Sequence, residues 1–397
     1  MENIFADRIS DVPRSFIREI LKVTATPEII SFAGGLPNRD YFPIDGIREA
    51  CARIFEGDER EILQYSTTEG YPPLRGFISE RYAKRKGLDV DPEGIIITSG
   101  SQQGLDLIGK TLLNEGDSII IEKPGYLGAI QAFSIYKARF HPVPLLDDGP
   151  DMDALGEILS RNRIKLYYAV PNFQNPAGIS YSDEKRRAVA ALMERHNVMF
   201  VEDDPYGELR FLGGDLPSVR KYLPENTIML GSFSKIVAPA FRLGWLSARS
   251  DVMEKIIVAK QASDLHTNYF SQRVVHRYLM DNDIDAHIAA IRKAYGGQRN
   301  AMVEGLRRLM PSDFSFTLPE GGMFLWARLP GGRSSMELFD FAIGEKVAFV
   351  PGNPFYAYDP EPNTMRLNFT NSDEGAINEG IKRLASAYDK YIESSGS

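Results

Sequence analysis

The fold is decided by two stretches, Val201-Glu202-Asp203-Asp204-Pro205-Tyr206 and Leu230-Gly231-Ser232-Phe233-Ser234-Lys235, the second followed seven residues later by Arg242. In each, a short apolar run stops abruptly at charged or hydroxyl side chains. A strand covered on both faces reads this way, because every side chain along it is buried until the chain leaves the sheet. On either side, comparable β-rich runs fall at residues 95–98, 118–121, 165–170, 198–202, 227–230 and 243–247, and amphipathic stretches such as 102–113 and 182–195 lie between them. In the latter, Ser182 suits an N-cap, Asp183 and Glu184 suit the positive first turn, and Val189, Leu192 and Met193 form an apolar face. Strands separated by helical crossovers predict an α/β core whose ligand lies at the carboxyl ends of the strands.

After about residue 290 the pattern changes. A helical region is followed by β-rich runs at 314–316, 323–327 and 365–369, a Gly321-Gly322 turn, and a closing helix striped by Ile377, Ile381, Leu384 and Tyr388. This predicts a smaller α+β domain over residues 291–397 behind a large domain over 46–290. Residues 1–45 fit neither pattern. They include Ser31-Phe32-Ala33-Gly34-Gly35-Leu36-Pro37 and are expected to form an irregular arm that packs with the small domain and covers the site. No internal repeat occurs.

The chain has 397 residues, 43% hydrophobic and 25% charged, enough for a large core and more than one domain. Its net charge is -8 and its basic residues are dispersed, which argues against nucleic acid as a ligand. Cys51 is the only cysteine, which excludes an internal disulfide, and the five histidines lack paired ligand spacing, so no metal is expected. No signal-peptide pattern opens the chain and its apolar runs are too short for a bilayer. A soluble protein of a reducing cytoplasm is therefore expected.

The chemistry-bearing residues share one theme. A lysine amine such as that of Lys235 is nucleophilic when neutral, and burial beside a cation such as Arg242 lowers its pKa. It can then condense with an aldehyde as a Schiff base, while Ser232, Ser234 and Arg242 can hold a phosphate. Asp203 can keep a pyridine nitrogen protonated: at about 3 Å and an effective dielectric near 20 the attraction is on the order of 5 kcal/mol before desolvation. Together they look like the floor of a pyridoxal phosphate (PLP) site. Asp204 competes for the same task, and because neighbouring strand residues face opposite sides the two are not expected to face the ring together. Ser232-Phe233-Ser234-Lys235 also matches the S-x-x-K pattern of serine β-lactamases; the accompanying S-D-N and K-T-G are missing. Ser99-Gly100-Ser101-Gln102-Gln103 follows one strand and opens a helix, whose free N–H groups and dipole favour an anion.

Four further motifs complete the pattern: Pro171-Asn172-Phe173-Gln174-Asn175-Pro176-Ala177-Gly178, Lys123-Pro124-Gly125-Tyr126, Gln64-Tyr65-Ser66, and Met365-Arg366-Leu367-Asn368-Phe369 preceded by Pro351-Gly352-Asn353-Pro354-Phe355. In this order the motifs resemble class I/II aminotransferases of PLP fold type I, in the branch of the aminoadipate, kynurenine and aromatic aminotransferases, from about Ser15 to the last helix. The resemblance implies a mostly parallel central sheet flanked by helices and a homodimer. It implies Lys235 as the residue that bonds PLP and then moves the substrate proton, Asp203 on the pyridine nitrogen, and Tyr206 and Asn175 at the ring oxygen. Tyr126 would cover the ring. Ser101, Gln102, Ser232, Ser234 and Arg242 would hold the phosphate, and Tyr65 would reach the neighbouring subunit's phosphate. Arg366 would bind the substrate carboxylate with Asn175 and the Gly35 backbone, and Arg18, on a mobile helix, would meet acidic side chains. Ping-pong amino transfer from an L-amino acid to a 2-oxo acid, 2-oxoglutarate foremost, is the expected reaction. A PLP β-lyase or decarboxylase is the alternative. A transcription regulator of this fold would need a DNA-binding domain ahead of an arm that starts by residue 15.

Overall fold

The computed structural model describes residues 4–10, 12, 20, 26, 28–57 and 59–395. Its strands, in chain order, are β1 (Ile30–Ser31), β2 (Ile95–Thr98), β3 (Ser118–Lys123), β4 (Arg139–Leu146), β5 (Gly149–Pro150), β6 (Ile164–Ala169), β7 (Met199–Asp203), β8 (Thr227–Ser232), β9 (Gly244–Ser247), β10 (Ser315–Phe316), β11 (Phe324–Arg328), β12 (Val347–Ala348), β13 (Val350–Pro351) and β14 (Thr364–Asn368). Eight of them form one sheet in the order β2-β9-β8-β7-β6-β3-β4-β5. From β8 to β4 every pairing is parallel, whereas β9 runs antiparallel between β2 and β8. The fold is α/β with a mostly parallel sheet.

Alternation along the strands feeds two cores. Ile119, Ile121, Leu166, Tyr168 and Val201 join one, while Ile120, Tyr167, Ala169 and Phe200 join the other. Each such buried aliphatic side chain contributes about 1.5–3 kcal/mol of transfer free energy. Helix Ser101–Leu112 adds Leu105, Leu107 and Ile108 to the first, and helix Asp183–His196 adds Val189, Ala190 and Met193 to the second. Ser182 caps the latter, its Oγ accepting from the Lys185 N–H at 3.2 Å, a cap worth about 1 kcal/mol.

Two strands of this sheet escape the sequence pattern, β4 and the two-residue β5. β4 contains Pro142 and Pro144, which argue against a central strand because they donate nothing to a ladder. It pairs with β3 on one side, and on the other β5 covers only Leu145 and Leu146. The Pro144 carbonyl faces that second side, accepting from the Asp151 N–H at 2.8 Å, so the prolines turn their nitrogens toward the nearly open edge.

The second sheet has the order β10-β11-β14-β13, all antiparallel, with Arg366 between Trp326 and Val350. Helix Ile284–Leu309 runs without a break through residue 290 and packs against helix Glu374–Ser395, whose Ile377, Ile381, Leu384 and Tyr388 are buried. β1 pairs with β12, and the Phe32 carbonyl accepts from the Asn368 N–H at 2.8 Å, stitching residues 30–33 to this sheet.

Register sets what comes next. Thr98, Gly244 and Ser232 form one row across β2, β9 and β8, and Asp203 pairs with Leu230 two residues before that row. The segments that follow β2, β7 and β8 and the segment that precedes β9 therefore leave the sheet at one edge.

Candidate active site

At that edge lies a cavity of about 460 Å³. Gly35, Ser101, Gln102, Tyr126, Asn175, Asp203, Tyr206, Ser232, Ser234, Lys235, Arg242 and Arg366 all line it, although they come from sequence positions more than three hundred residues apart. Tyr65 does not. It is 79% exposed, edge-on to His266 with ring centroids 5.8 Å apart. Arg18 lies outside the described residues.

Lys235 follows the end of β8, and its Nζ donates to the Gly35 carbonyl at 2.8 Å. Burial, reinforced by the charges of Arg366 and Arg242, pulls its pKa down to about 8. A substantial share of the amine is therefore neutral near physiological pH, where an exposed lysine would be almost fully protonated.

Asp203 closes β7 and is 2% exposed. Its Oδ2 accepts from the Tyr168 hydroxyl at 2.7 Å, while its Oδ1 is buried with no hydrogen-bond partner. Burial pushes the carboxyl up to about 7, helped by the Asp204 charge and opposed by the Tyr168 hydrogen bond. An orphaned carboxylate oxygen inside a cavity is costly unless a ligand's N–H meets it. Asp204 turns the other way, to Lys86 at 3.3 Å, the Asn172 amide at 2.9 Å and the Gly207 N–H at 2.8 Å.

A second cluster suits an anion. Helix Ser101–Leu112 has Gly100 at its N-cap, with φ 78° and no side-chain cap, so its first N–H groups are left for other acceptors. That positive φ favours glycine, and a Cβ there would also displace the Arg242 guanidinium, one nitrogen of which would be 2.5 Å away. Arg242, itself left-handed at φ 52°, donates to the Ser99 carbonyl at 3.5 Å. The Ser232 Oγ accepts from the Ser234 N–H at 3.1 Å.

Arg366 forms the opposite wall. It is 3% exposed, sandwiched near the rings of Phe324 and Phe355, and donates to the Asn175 Oδ1 at 2.9 Å and the Ala33 carbonyl at 2.7 Å. Its Nε is buried without a partner. Burial lowers its pKa to about 10, against the pull of Tyr206 and Tyr126, so it stays cationic. The Asn175 amide also donates to the Tyr206 hydroxyl at 3.5 Å. The buried Tyr206 phenol is held well above its usual range, first by burial and then by Tyr126. The Tyr126 phenol rises to about 12, again mainly through burial.

Sequence reasoning missed Tyr168, which orients Asp203, and the apolar lining of Leu127, Val170, Phe324 and Phe355. Tyr168 carried a partial signal: it and Tyr167 are adjacent phenols in a mostly apolar run, and alternation sends Tyr167 to Tyr181 and Tyr168 to Asp203. The phenylalanines carried none, because their partners lie on distant segments.

A lowered lysine amine, a carboxylate with a free buried oxygen, an anion cup and a buried guanidinium fit a phosphorylated pyridine aldehyde and an α-carboxylate together. The fold and this cavity define a PLP-dependent enzyme of fold type I. Residues 28–384 match the family model described as aminotransferase class I and II, and the chain belongs to that family. It is 41% identical over 390 residues to aromatic-amino-acid aminotransferase 1 of Thermococcus litoralis, covering 97% of this chain and 94% of that one. It also superposes on the α-aminoadipate aminotransferase of Thermus thermophilus in complex with N-(5'-phosphopyridoxyl)-L-leucine, with TM-score 0.92, 40% identity and 98% of both chains covered. The kynurenine aminotransferase of Pyrococcus horikoshii matches with TM-score 0.92 and 43% identity, over 98% of this chain and 97% of that one. This protein is an aminotransferase with PLP as its cofactor. No helix among the described residues is long and apolar enough to cross a membrane.

Proposed function

We propose that the enzyme moves the amino group of an L-amino acid to 2-oxoglutarate, with the residues of the cavity in the following roles. The observation that carries the assignment is the unpartnered Asp203 Oδ1 in the same cavity as the pKa-lowered Lys235. Asp203 would hold the pyridinium, and Tyr168 keeps its other oxygen occupied. Ser101, Gln102, Ser232, Ser234 and Arg242 would hold the phosphate, and Tyr126 would cover the ring. Tyr206 and Asn175 would meet the ring oxygen. When bound, PLP supplies an aldehyde carbon for the amino group and an electron sink for the charge left when the substrate Cα loses its proton.

Arg366, assisted by Asn175 and by the Gly35 backbone, grips the α-carboxylate and so orients the Cα–H bond toward Lys235. The Lys235 Nζ then takes that proton and returns one on the product side, as base and acid in turn. The donor leaves as a 2-oxo acid and the acceptor as an amino acid, in two half-reactions with ping-pong kinetics.

Leu127, Val170, Phe324 and Phe355 around the cavity support aromatic and aliphatic donors, in keeping with the names of the relatives. Among the described lining residues the cations are Lys235, Arg242 and Arg366, each with a role above. An acidic donor such as 2-aminoadipate would call on Arg18. We further assign residues 46–290 to a cofactor domain and 291–397 to a small domain, with 1–45 as an arm over the site. A cytoplasmic homodimer in which Tyr65 reaches the neighbouring site completes the reading.

Steady-state and single-turnover assays with glutamate, 2-aminoadipate, tyrosine, leucine and alanine test it. Conversion of the bound cofactor's visible band by an amino acid, and its return with 2-oxoglutarate, is the expected result. Release of CO2 or pyruvate without an oxo acid would contradict it, and an Arg18→Ala variant with undiminished activity toward glutamate and 2-aminoadipate would remove Arg18 from the site.

A further inference from the structure

Glu122 lies one residue before the end of β3, 1% exposed, and does not line the cavity. Its Oε1 accepts from the Tyr181 hydroxyl at 2.6 Å and the Val170 N–H at 3.2 Å, and its Oε2 accepts from the Gln174 amide at 3.0 Å. The same Gln174 nitrogen donates to the Pro124 carbonyl at 2.9 Å, while the Gln174 Oε1 accepts from the Ala177 N–H at 2.7 Å. Gln174 is thus locked in one orientation, with its nitrogen between two acceptors and its oxygen on a donor. The next residue is Asn175, whose side chain meets Arg366 and Tyr206. Pro124 leads into Tyr126, and the intervening Gly125 N–H donates to the Phe355 carbonyl at 2.7 Å.

We propose that Glu122 is a positioning residue for substrate binding: through Gln174 it fixes the loop that sets Asn175 against Arg366. This rests on the reading of Arg366 and Asn175 as the carboxylate site. An ionised carboxylate only accepts hydrogen bonds, and three donors converge on it here. An amide at position 122 would press an N–H against the Gln174 amide, or, turned over, against the Val170 N–H, while the Tyr181 hydroxyl could rotate to accept. Turning Gln174 to relieve the first conflict would set its oxygen against the Pro124 carbonyl and its NH2 against the Ala177 N–H. Each orientation leaves one N–H facing another, at Gln174 or at Val170, and an unmet buried donor favours a shift of the segment that carries it. Burial pushes the Glu122 carboxyl up to about 7, with the three donors pulling it back and the Asp203 charge adding to the rise. The three donors therefore offset part of the cost of burying the charged form.

The test compares holoenzyme variants by KM and kcat for L-glutamate, by melting temperature and by the visible band of the bound cofactor. Glu122→Gln and Gln174→Ala are each expected to raise KM about tenfold with kcat changed less than about threefold. The double variant should be no worse than either single one, because both act along one path. Tyr181→Phe removes a donor to Glu122 but leaves Gln174 held; it should lower the melting temperature and leave KM unchanged. Arg366→Lys serves as the control for the underlying reading. If Arg366→Lys raises KM while Glu122→Gln and Gln174→Ala do not, the positioning role is overturned, as it is if Tyr181→Phe raises KM equally. If Arg366→Lys itself leaves KM unchanged, the carboxylate reading fails instead. Should Glu122→Gln fail to fold, Gln174→Ala and Tyr181→Phe carry the comparison.

Discussion

Asp203 and Glu122 are both buried carboxyls at the carboxyl ends of parallel strands of one sheet, and burial pushes both up to about 7. Their surroundings differ. Glu122 spends both oxygens on three protein donors, whereas Asp203 spends one on Tyr168 and leaves the other bare. The same desolvation thus yields two different objects. A fully met carboxylate is a joint of the framework, and a half-met one is a socket for a ligand. Glu202, beside Asp203, also serves the framework: its Oε2 accepts from the Ser218 hydroxyl at 2.5 Å and the Arg220 N–H at 3.3 Å, and its Oε1 faces the Arg186 guanidinium at 3.9 Å.

Lys235 shares the socket side of this contrast, and the largest effect is expected there. Lys235→Ala should lower kcat by about ten-thousandfold or more, since it removes both the bond to the cofactor and the proton carrier; a stopped-flow half-reaction with L-glutamate measures it. Asp203→Asn should follow, at about a thousandfold in kcat/KM with weakened cofactor retention, because an amide cannot supply the negative charge that keeps a pyridinium protonated. If Asp203→Asn instead behaves like Glu122→Gln, raising KM with little change in kcat, the distinction between socket and joint is broken.

Arg366→Lys keeps the charge but loses the planar fork, which should cost about a hundredfold in kcat/KM, or about 2.7 kcal/mol. The pH dependence of cofactor capture sharpens the account of Lys235. Only the neutral amine attacks, so the rate at which cofactor-free protein takes up PLP rises with pH as the amine loses its proton. With a pKa of about 8 the rise between pH 7 and pH 9 is about tenfold and then levels off, whereas an unshifted lysine would gain about a hundredfold and keep rising. The smallest effect is expected from Tyr168→Phe, which leaves the Asp203 Oδ2 without its protein donor and should lower kcat about fivefold.

Much of the large sheet is legible in the order of the amino acids. Strands β2, β3, β6, β7, β8 and β9 stand out because both faces are covered and their residues are apolar almost throughout. β4 does not, since its prolines are tolerable only next to a nearly open edge, which is a property of the sheet. Twelve expected site residues share the cavity because most of them cluster at strand ends, where a change from apolar to polar is visible in one dimension. Glu122 follows the same change after residues 118–121 yet plays no part in the lining. Nothing local separates it from Asp203: the difference is made by Gln174 and Tyr181, fifty or more residues further on. Alternation with apolar neighbours would by itself also allow Arg366 the wet face of a strand, and the rings of Phe324 and Phe355 cover it instead.

The central claim is that Lys235 carries the cofactor and yields it to an amino acid. Borohydride reduction of the holoenzyme followed by peptide mapping, with and without prior addition of L-glutamate, tests it most directly. The phosphopyridoxyl group should be found on Lys235 in the untreated enzyme and should be largely lost from that peptide after glutamate. Attachment to another lysine, or labelling of Lys235 that no amino acid diminishes, would contradict the account.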